Sequence, residues 1–265
     1  MCEIFAYSSS EATRATFDME TFRQHGCGTG PHCDGWGLAF YTGPYAQIFR
    51  DVKPAAYSDW MSFILDHNIE TQCLISHIRK ATQGSVNLQN TQPFSREWAG
   101  HRHVFAHNGN LQNLEQLGVP ERFQPIGDTD SERAFCQLMD SISDTEASGA
   151  PTDLDARLAR MVACFGQWAQ MGPANIAYSD SEYLYVFANK RTQVNGSIEP
   201  PGLHMLQRND TDNHTTKLTG VELKGQSKFI TLFASVPLSN EAWVPLKELE
   251  LIVCQNGRVV RQLQL

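Results

Sequence analysis

The stretch that most constrains this fold is its beginning. Residues 2–8, Cys-Glu-Ile-Phe-Ala-Tyr-Ser, are apolar and β-prone enough to form a strand, which ties the amino terminus into the fold instead of leaving it to fray. The same stretch carries Cys2. Removal of Met1 would leave Cys2 first in the chain, with a free α-amine beside its own thiol. An α-amine has a reference pKa of about 7.7–8.0 and a thiol about 8.5, so both titrate near neutrality and the amine can act as base for the thiol. Position alone is weak support, because a cysteine after Met1 usually means nothing; the rest of the chain has to supply the remainder of a site.

Composition narrows the partners. The 265 residues suffice for a large core in one domain, and 41% hydrophobic with 19% charged residues is a globular balance. A formal net charge of −8 without any Lys/Arg cluster argues against nucleic acid or an anionic membrane and favours a small-molecule substrate. Seven cysteines, an odd number with no CxxC pair, read as reduced thiols. No signal-peptide pattern and no apolar stretch of membrane-spanning length is present, so the expected location is cytoplasmic.

Along the chain, Thr16 to His25 is expected as a short helix, followed by a glycine-rich loop, His25 to Gly37, that could let backbone approach a ligand closely. Leu38–Tyr41 and Ala46–Arg50 read as paired strands, Tyr57–Asp66 as a helix, and Cys73–Arg79 as a buried strand that delivers a cation to a loop. His103–His107 is a further strand, stopping at Asn108-Gly109, which on local grounds is a hairpin turn and alternatively a place where amide groups point outward together. Thr129 or Asp130 caps a helix through Ile142, and Pro151–Gln170 forms a second long helix. For Asp130 alone, capping is the commoner role. The remainder is β-rich: Asn175–Tyr178 with Tyr183–Asn189, Phe229–Ser235, and Leu249–Cys254 with Val259–Leu263 about Asn256-Gly257. Pro200 to Lys217 is polar and reads as a surface excursion.

Six blocks in one order carry a resemblance. They are Met1-Cys2; Gly28-Thr29-Gly30-Pro31-His32 with Asp34-Gly35-Trp36-Gly37; Ser76-His77-Ile78-Arg79-Lys80-Ala81-Thr82; Asn90-Thr91-Gln92-Pro93-Phe94; Phe105-Ala106-His107-Asn108-Gly109; and Gly127-Asp128-Thr129-Asp130-Ser131-Glu132. In this order the chain resembles the class II, N-terminal-nucleophile glutamine amidotransferase domain, in its stand-alone single-domain branch. The match is dense over residues 2–142 and looser beyond.

The resemblance implies an α+β, four-layer αββα sandwich spanning residues 1–265 as one domain, with Met1 removed, and no cofactor or metal. It also implies roles. Cys2 attacks the γ-amide of glutamine, Asn108 and Gly109 hold the oxyanion, Arg79 pairs with the substrate α-carboxylate, Asp130 with its α-ammonium, and Thr82 contacts substrate. Glutamate and ammonia are released through a γ-glutamyl thioester. The physical chemistry is consistent, since a zwitterion needs one cation and one anion, and an Arg fork suits two carboxylate oxygens. Gln92 and Gln83 depart from the family pattern, which often has histidine at both positions.

Other readings can be weighed against this one. His25, Cys27, His32 and Cys33 invite zinc, but the spacing has no second paired half. His101, His103 and His107 could share a strand face, with His107 better explained as loop support. A γ-glutamyl peptide or thiol conjugate could replace glutamine as substrate, ammonia transfer would require a separate acceptor protein, and a chain that kept Met1 could be a non-catalytic binding module. The loops expected to set the group beyond the scissile bond are Gly26–Gly37 and Pro200–Lys217.

Overall fold

Side-chain alternation along the first strand sets the layering. The structure, a computed structural model, describes all residues except 15, 68, 147–152, 211–216, 219–220 and 223–227, and leaves aside the side chains of 16–17, 145–146, 210, 217–218, 221–222 and 228. Strand β1 (Glu3–Thr13) turns Phe5 and Tyr7 to one face and Ile4 and Ala6 to the other, and all four are fully buried. A strand buried on both sides lies inside a layered stack.

In chain order there follow α1 (Thr16–His25), β2 (Trp36–Thr42), β3 (Tyr45–Asp51), α2 (Asp59–Asp66), β4 (Thr71–Ile78), β5 (Phe94–Trp98), β6 (His101–Gly109), α3 (Asp130–Glu146) and α4 (Leu154–Met171). Then come β7 (Ala174–Ser179), β8 (Leu184–Ala188), β9 (Arg191–Thr192), β10 (Ile198–Glu199), β11 (His204–Asp210), β12 (Lys217–Leu218) and β13 (Val221–Glu222). The chain closes with β14 (Lys228–Ala234), β15 (Val244–Pro245), β16 (Glu250–Gln255) and β17 (Arg258–Gln264). One sheet has the order β15-β11-β14-β1-β4-β2-β3 and the other β17-β16-β8-β7-β6-β5. β1 is interior, antiparallel to β14 through Phe5↔Ala234 and to β4 through Phe5↔Ser76.

Three cores separate four layers. Between the sheets lie Ile4, Ala6, Ala39, Ile75, Val104, Ala106, Ala177 and Ala188, with the larger Tyr41 and Phe233. On the outer face of the first sheet, Met19 and Phe22 of α1 and Met61 and Ile64 of α2 cover Phe5, Trp36 and Leu38. On the outer face of the second, Phe135 of α3 stacks on Phe105 at 5.0 Å between ring centroids and Trp168 of α4 meets the same ring edge-on. Each such side chain contributes about 1.5–3 kcal/mol when fully buried. The expected α+β, αββα sandwich is the architecture observed.

Three local expectations are corrected. His204–Asp210, expected within a surface excursion, is a strand of the first sheet paired with β14; residues 211–216 of that expected excursion lie outside the described ones. Its polarity misleads because Arg208, 4% exposed, is a buried cation answered by Asp18 and Glu241. Asn108-Gly109 is no turn: both residues are in β6 and pair with Asn175 and Ala174 of β7. Cys27 and Cys33, expected as free thiols, form a disulfide across a loop in which a Gly26↔Pro31 bridge brings their Cα atoms to 4.9 Å. A spacing of six carries no pairing signal by itself. Among the described residues, no helix is long and apolar enough to cross a membrane.

Candidate active site

The register of β1 against β4 sets Glu3 opposite Ile78, so Cys2 emerges beside the strand end that carries Arg79 and Lys80. The Cys2 thiol is gripped by the backbone of one residue, accepting from Lys80 N at 3.3 Å and donating to Lys80 O at 3.4 Å. Burial pushes its pKa above the ordinary value; the Lys80 backbone, the terminal amine and Arg79 oppose that shift, and Asp130 adds to it. Burial also lowers the pKa of the α-amine, here on Met1, which lies within electrostatic reach of Cys2, Lys80, Arg191 and Glu3. Both shifts favour a neutral thiol and a neutral amine.

Asn108 is fully buried, and its Nδ2 donates to Ser235 Oγ at 3.1 Å while its Oδ1 has no partner. Ser235 Oγ also accepts from Ile4 N at 3.0 Å, and Ser235 N donates to Ile4 O at 3.0 Å. A single hydroxyl therefore joins Asn108 to the strand that carries Cys2. Gly109 admits no side chain, since a Cβ there would stand 1.9 Å from Pro173 O. Gln92 forms an amide pair with the backbone of His107, donating to its O at 3.1 Å and accepting from its N at 2.6 Å. The His107 ring bridges Ser131 of α3, at 2.9 Å, and Pro173 O, at 3.4 Å, giving the loop support expected of it. His101 and His103 meet Ser181 and Tyr178.

Arg79 is 3% exposed, and its guanidinium holds the next loop: Nη1 donates to Ser85 O at 3.0 Å, and Nη2 to Gln83 O at 3.0 Å and Gly84 O at 3.2 Å. Gly84 turns there with φ +71°, and a Cβ would press on Asp128 and Asn90. Gln83 continues the chain of contacts, donating to Asn110 Oδ1 at 2.6 Å and Leu111 O at 3.2 Å. Leu111 N in turn donates to Asp130 Oδ2 at 2.8 Å. The cap of α3 is Thr129, whose Oγ1 accepts from Glu132 N at 3.2 Å, so Asp130 is free of that duty. Thr82 is exposed and makes no side-chain hydrogen bond among the described residues. Asp34 Oδ2 accepts from Ala81 N at 2.7 Å and fixes the loop from its other side.

Near the amine, Glu3 Oε2 meets His25 Nδ1 at 2.8 Å and Oε1 lies 3.8 Å from His32 Nε2. With Cys27 and Cys33 joined to each other, the His/Cys group considered for zinc is divided between a disulfide and this carboxylate. Among the described residues no cluster of three or more His, Cys, Asp or Glu side chains is arranged to hold a metal ion. Sequence reasoning missed Ser235, whose only signal was its place at the end of an expected strand. It also missed Asn175, whose Nδ2 donates to Asn108 O at 3.0 Å and to Lys190 O at 2.9 Å.

The chain is similar to known proteins along its whole length. The family model for class-II glutamine amidotransferases matches residues 1–265. YafJ of Escherichia coli (strain K12), itself assigned as a glutamine amidotransferase by prediction, is 31% identical over 262 residues, covering 98% of this chain and 100% of the relative. A similarly assigned Haemophilus influenzae protein is 34% identical over 263 residues, covering 99% of this chain and 87% of the relative. The crystal structure of a predicted glutamine amidotransferase from Pseudomonas aeruginosa PA01 superposes with a TM-score of 0.69 at 28% identity, covering 98% of this chain and all of that one. The glutamine phosphoribosylpyrophosphate amidotransferase of B. subtilis shares the fold, with a TM-score of 0.59 at 15% identity over 99% of this chain and 49% of that chain. This chain belongs to the class-II glutamine amidotransferases.

Proposed function

We propose that the chain, once Met1 is removed, hydrolyses the γ-amide of glutamine through a γ-glutamyl thioester on Cys2. The observation that carries this reading is the charge around one thiol: buried Arg79 and buried Asp130, of opposite sign, both act on Cys2. A zwitterion whose γ-carbon lies at Sγ has its carboxylate answered by one and its ammonium by the other. Arg79 has five N–H donors and directs at least three bonds at loop carbonyls, so the remaining donors are those that meet the carboxylate.

In the reaction the Cys2 amine takes the thiol proton as Sγ bonds to the amide carbon, and returns it to the nitrogen as the C–N bond breaks and ammonia leaves. Water, deprotonated by the same amine, then adds to the acyl carbon, the C–S bond breaks, and glutamate and thiol are regenerated. An Asn108 side-chain N–H and the Gly109 backbone N–H hold the oxyanion in both halves, each such donor contributing ~3–4 kcal/mol. Thr82, exposed at the rim, would contact the amino-acid head. Burial that depresses an amine at this end keeps it unprotonated and able to act as base. The ammonia goes to solvent or to a separate acceptor protein. A cytoplasmic setting belongs to the same reading.

Intact mass before and after 6-diazo-5-oxo-norleucine tests it. Loss of Met1 and one adduct, absent in Cys2→Ala, is the expected result, together with no glutamate release by that variant. Retained Met1 with no adduct, or a fully active Cys2→Ala, would sink the mechanism.

A further inference from the structure

Arg191 lies within electrostatic reach of the terminal amine, as Arg79 and Asp130 do of the Cys2 thiol. It opens β9, and the residues before it are clamped to the site by one side chain: Asn175 Nδ2 donates to Asn108 O and to Lys190 O, while Asn175 Oδ1 accepts from Asn189 N at 2.8 Å. The clamp is tight, because a Cβ at Gly202 would stand 1.7 Å from Asn175 Oδ1. Arg191 is thus positioned through the residue that carries the oxyanion role.

Its surroundings are unusual for a cation. Arg191 is half-buried, yet among the described residues its guanidinium donates no hydrogen bond and meets no carboxylate at ion-pair distance; its Nε is buried without a partner. Glu3 is the acid within electrostatic reach, but that carboxylate is engaged by His25 at 2.8 Å. The other charges about the terminal amine are Lys80 and Arg191 itself, and His204, next along the sheet edge, also feels Arg191. Burial without a partner lowers the Arg191 pKa, as expected of a guanidinium that has lost water and gained no anion. Removing Met1 takes away a residue that lies among these groups, of which Lys80 and Arg191 are cations and Glu3 the acid.

That amine hands a proton to the departing nitrogen, so whatever is attached to that nitrogen extends toward Arg191. We infer that Arg191 reads a carboxylate on the leaving amine, so that the favoured substrates are γ-glutamyl amino acids or peptides carrying a carboxylate close to the scissile bond. This rests on the hydrolytic reading of Cys2 proposed above and names the substrate class for it. Sγ bonds to the γ-carbon, the C–N bond breaks, the amino acid departs with the proton returned by the Cys2 amine, and water releases glutamate as before.

The test compares γ-glutamylglycine with γ-glutamyl methylamide, which differ by that carboxylate alone, on the full processed chain. The expected kcat/KM ratio is at least tenfold in favour of γ-glutamylglycine; Arg191→Ala brings it near one, Arg191→Glu below one, and Arg191→Lys restores most of it. Glutamate release that ignores the carboxylate, or a ratio that survives Arg191→Ala, overturns the role of Arg191 while the hydrolytic reading stands. No glutamate from either compound or from glutamine, with no Cys2 adduct, overturns the hydrolytic reading and this inference with it.

Discussion

On one side of Cys2, the Arg79 guanidinium binds the carbonyls of Gln83, Gly84 and Ser85, and the Asp130 carboxylate binds Leu111 N. Near the terminal amine, the Arg191 guanidinium donates no hydrogen bond among the described residues, although the Lys190 carbonyl before it is held by Asn175. The first side is a closed network in which each charge is fixed by neighbours before substrate arrives, as suits recognition of one invariant amino-acid head. The second offers a fixed backbone and an uncommitted charge, as suits a leaving group that varies.

The sharpest way to break the comparison is at the residue both sides share. Asn108→Ala should lower kcat for glutamine by ~10²–10³, the usual cost of one oxyanion donor. A loss under tenfold in steady-state assays would remove Asn108 from the chemistry.

Next in size is a pH effect at His77, which burial, with His107, Arg79 and His32 adding, pushes down to about 3. An unfolded histidine takes its proton near 6.5, so between about 6.5 and 3 the unfolded state binds more protons and stability falls as pH falls. Acidification from pH 7 to pH 5 should cost ~2 kcal/mol through this group. Urea midpoints of His77→Leu should lose that part of the slope; an unchanged slope would assign the acid sensitivity elsewhere.

Ser235→Ala and Asn175→Ala separate the two sides. Ser235→Ala leaves two buried donors without an acceptor, Asn175→Ala leaves the Asn189 N–H without one and the carbonyls of Asn108 and Lys190 without its amide, and each should destabilise by ~1–3 kcal/mol in urea unfolding. Ser235→Ala should lower kcat for every substrate, because it frees Asn108 from β1. Asn175→Ala should in addition shrink the preference for a carboxylate-bearing leaving group. The smallest effect is expected from Gln83→Ala, on the closed side: a stability loss of ~0.5–1.5 kcal/mol and a several-fold rise in KM for glutamine with kcat little changed.

Much of this was legible in the sequence because it is local. The apolar run after Cys2, the alternation around Phe105 and the periodicity of Leu158, Met161, Phe165 and Trp168 each name an element without reference to the rest of the chain. The illegible parts depend on distant partners. Arg208 makes β11 look like a loop until Asp18, 190 positions earlier, is seen to answer it. Ser235 is an ordinary strand-end serine until it meets Ile4, and Arg191 is an ordinary arginine until its guanidinium is found, among the described residues, to pair with no acid. Gln92 and Gln83 looked like losses relative to the family pattern; one holds the His107 backbone and the other ties the Arg79 loop to Asn110.

The place of β1 between β4 and β14 has a consequence in time. Cys2 is among the first residues a ribosome makes, but the hydroxyl that ties the adjoining strand to Asn108 comes 231 positions after Ile4. A nascent chain that has passed residue 200 already holds Cys2, Arg79, Asn108 and Asp130, but not the Ser235 hydroxyl that bonds both Ile4 and Asn108. Pairings this distant close late in folding. A chain cut short anywhere before β14 therefore carries Cys2, Arg79, Asn108 and Asp130 without the hydroxyl that ties β1 to Asn108.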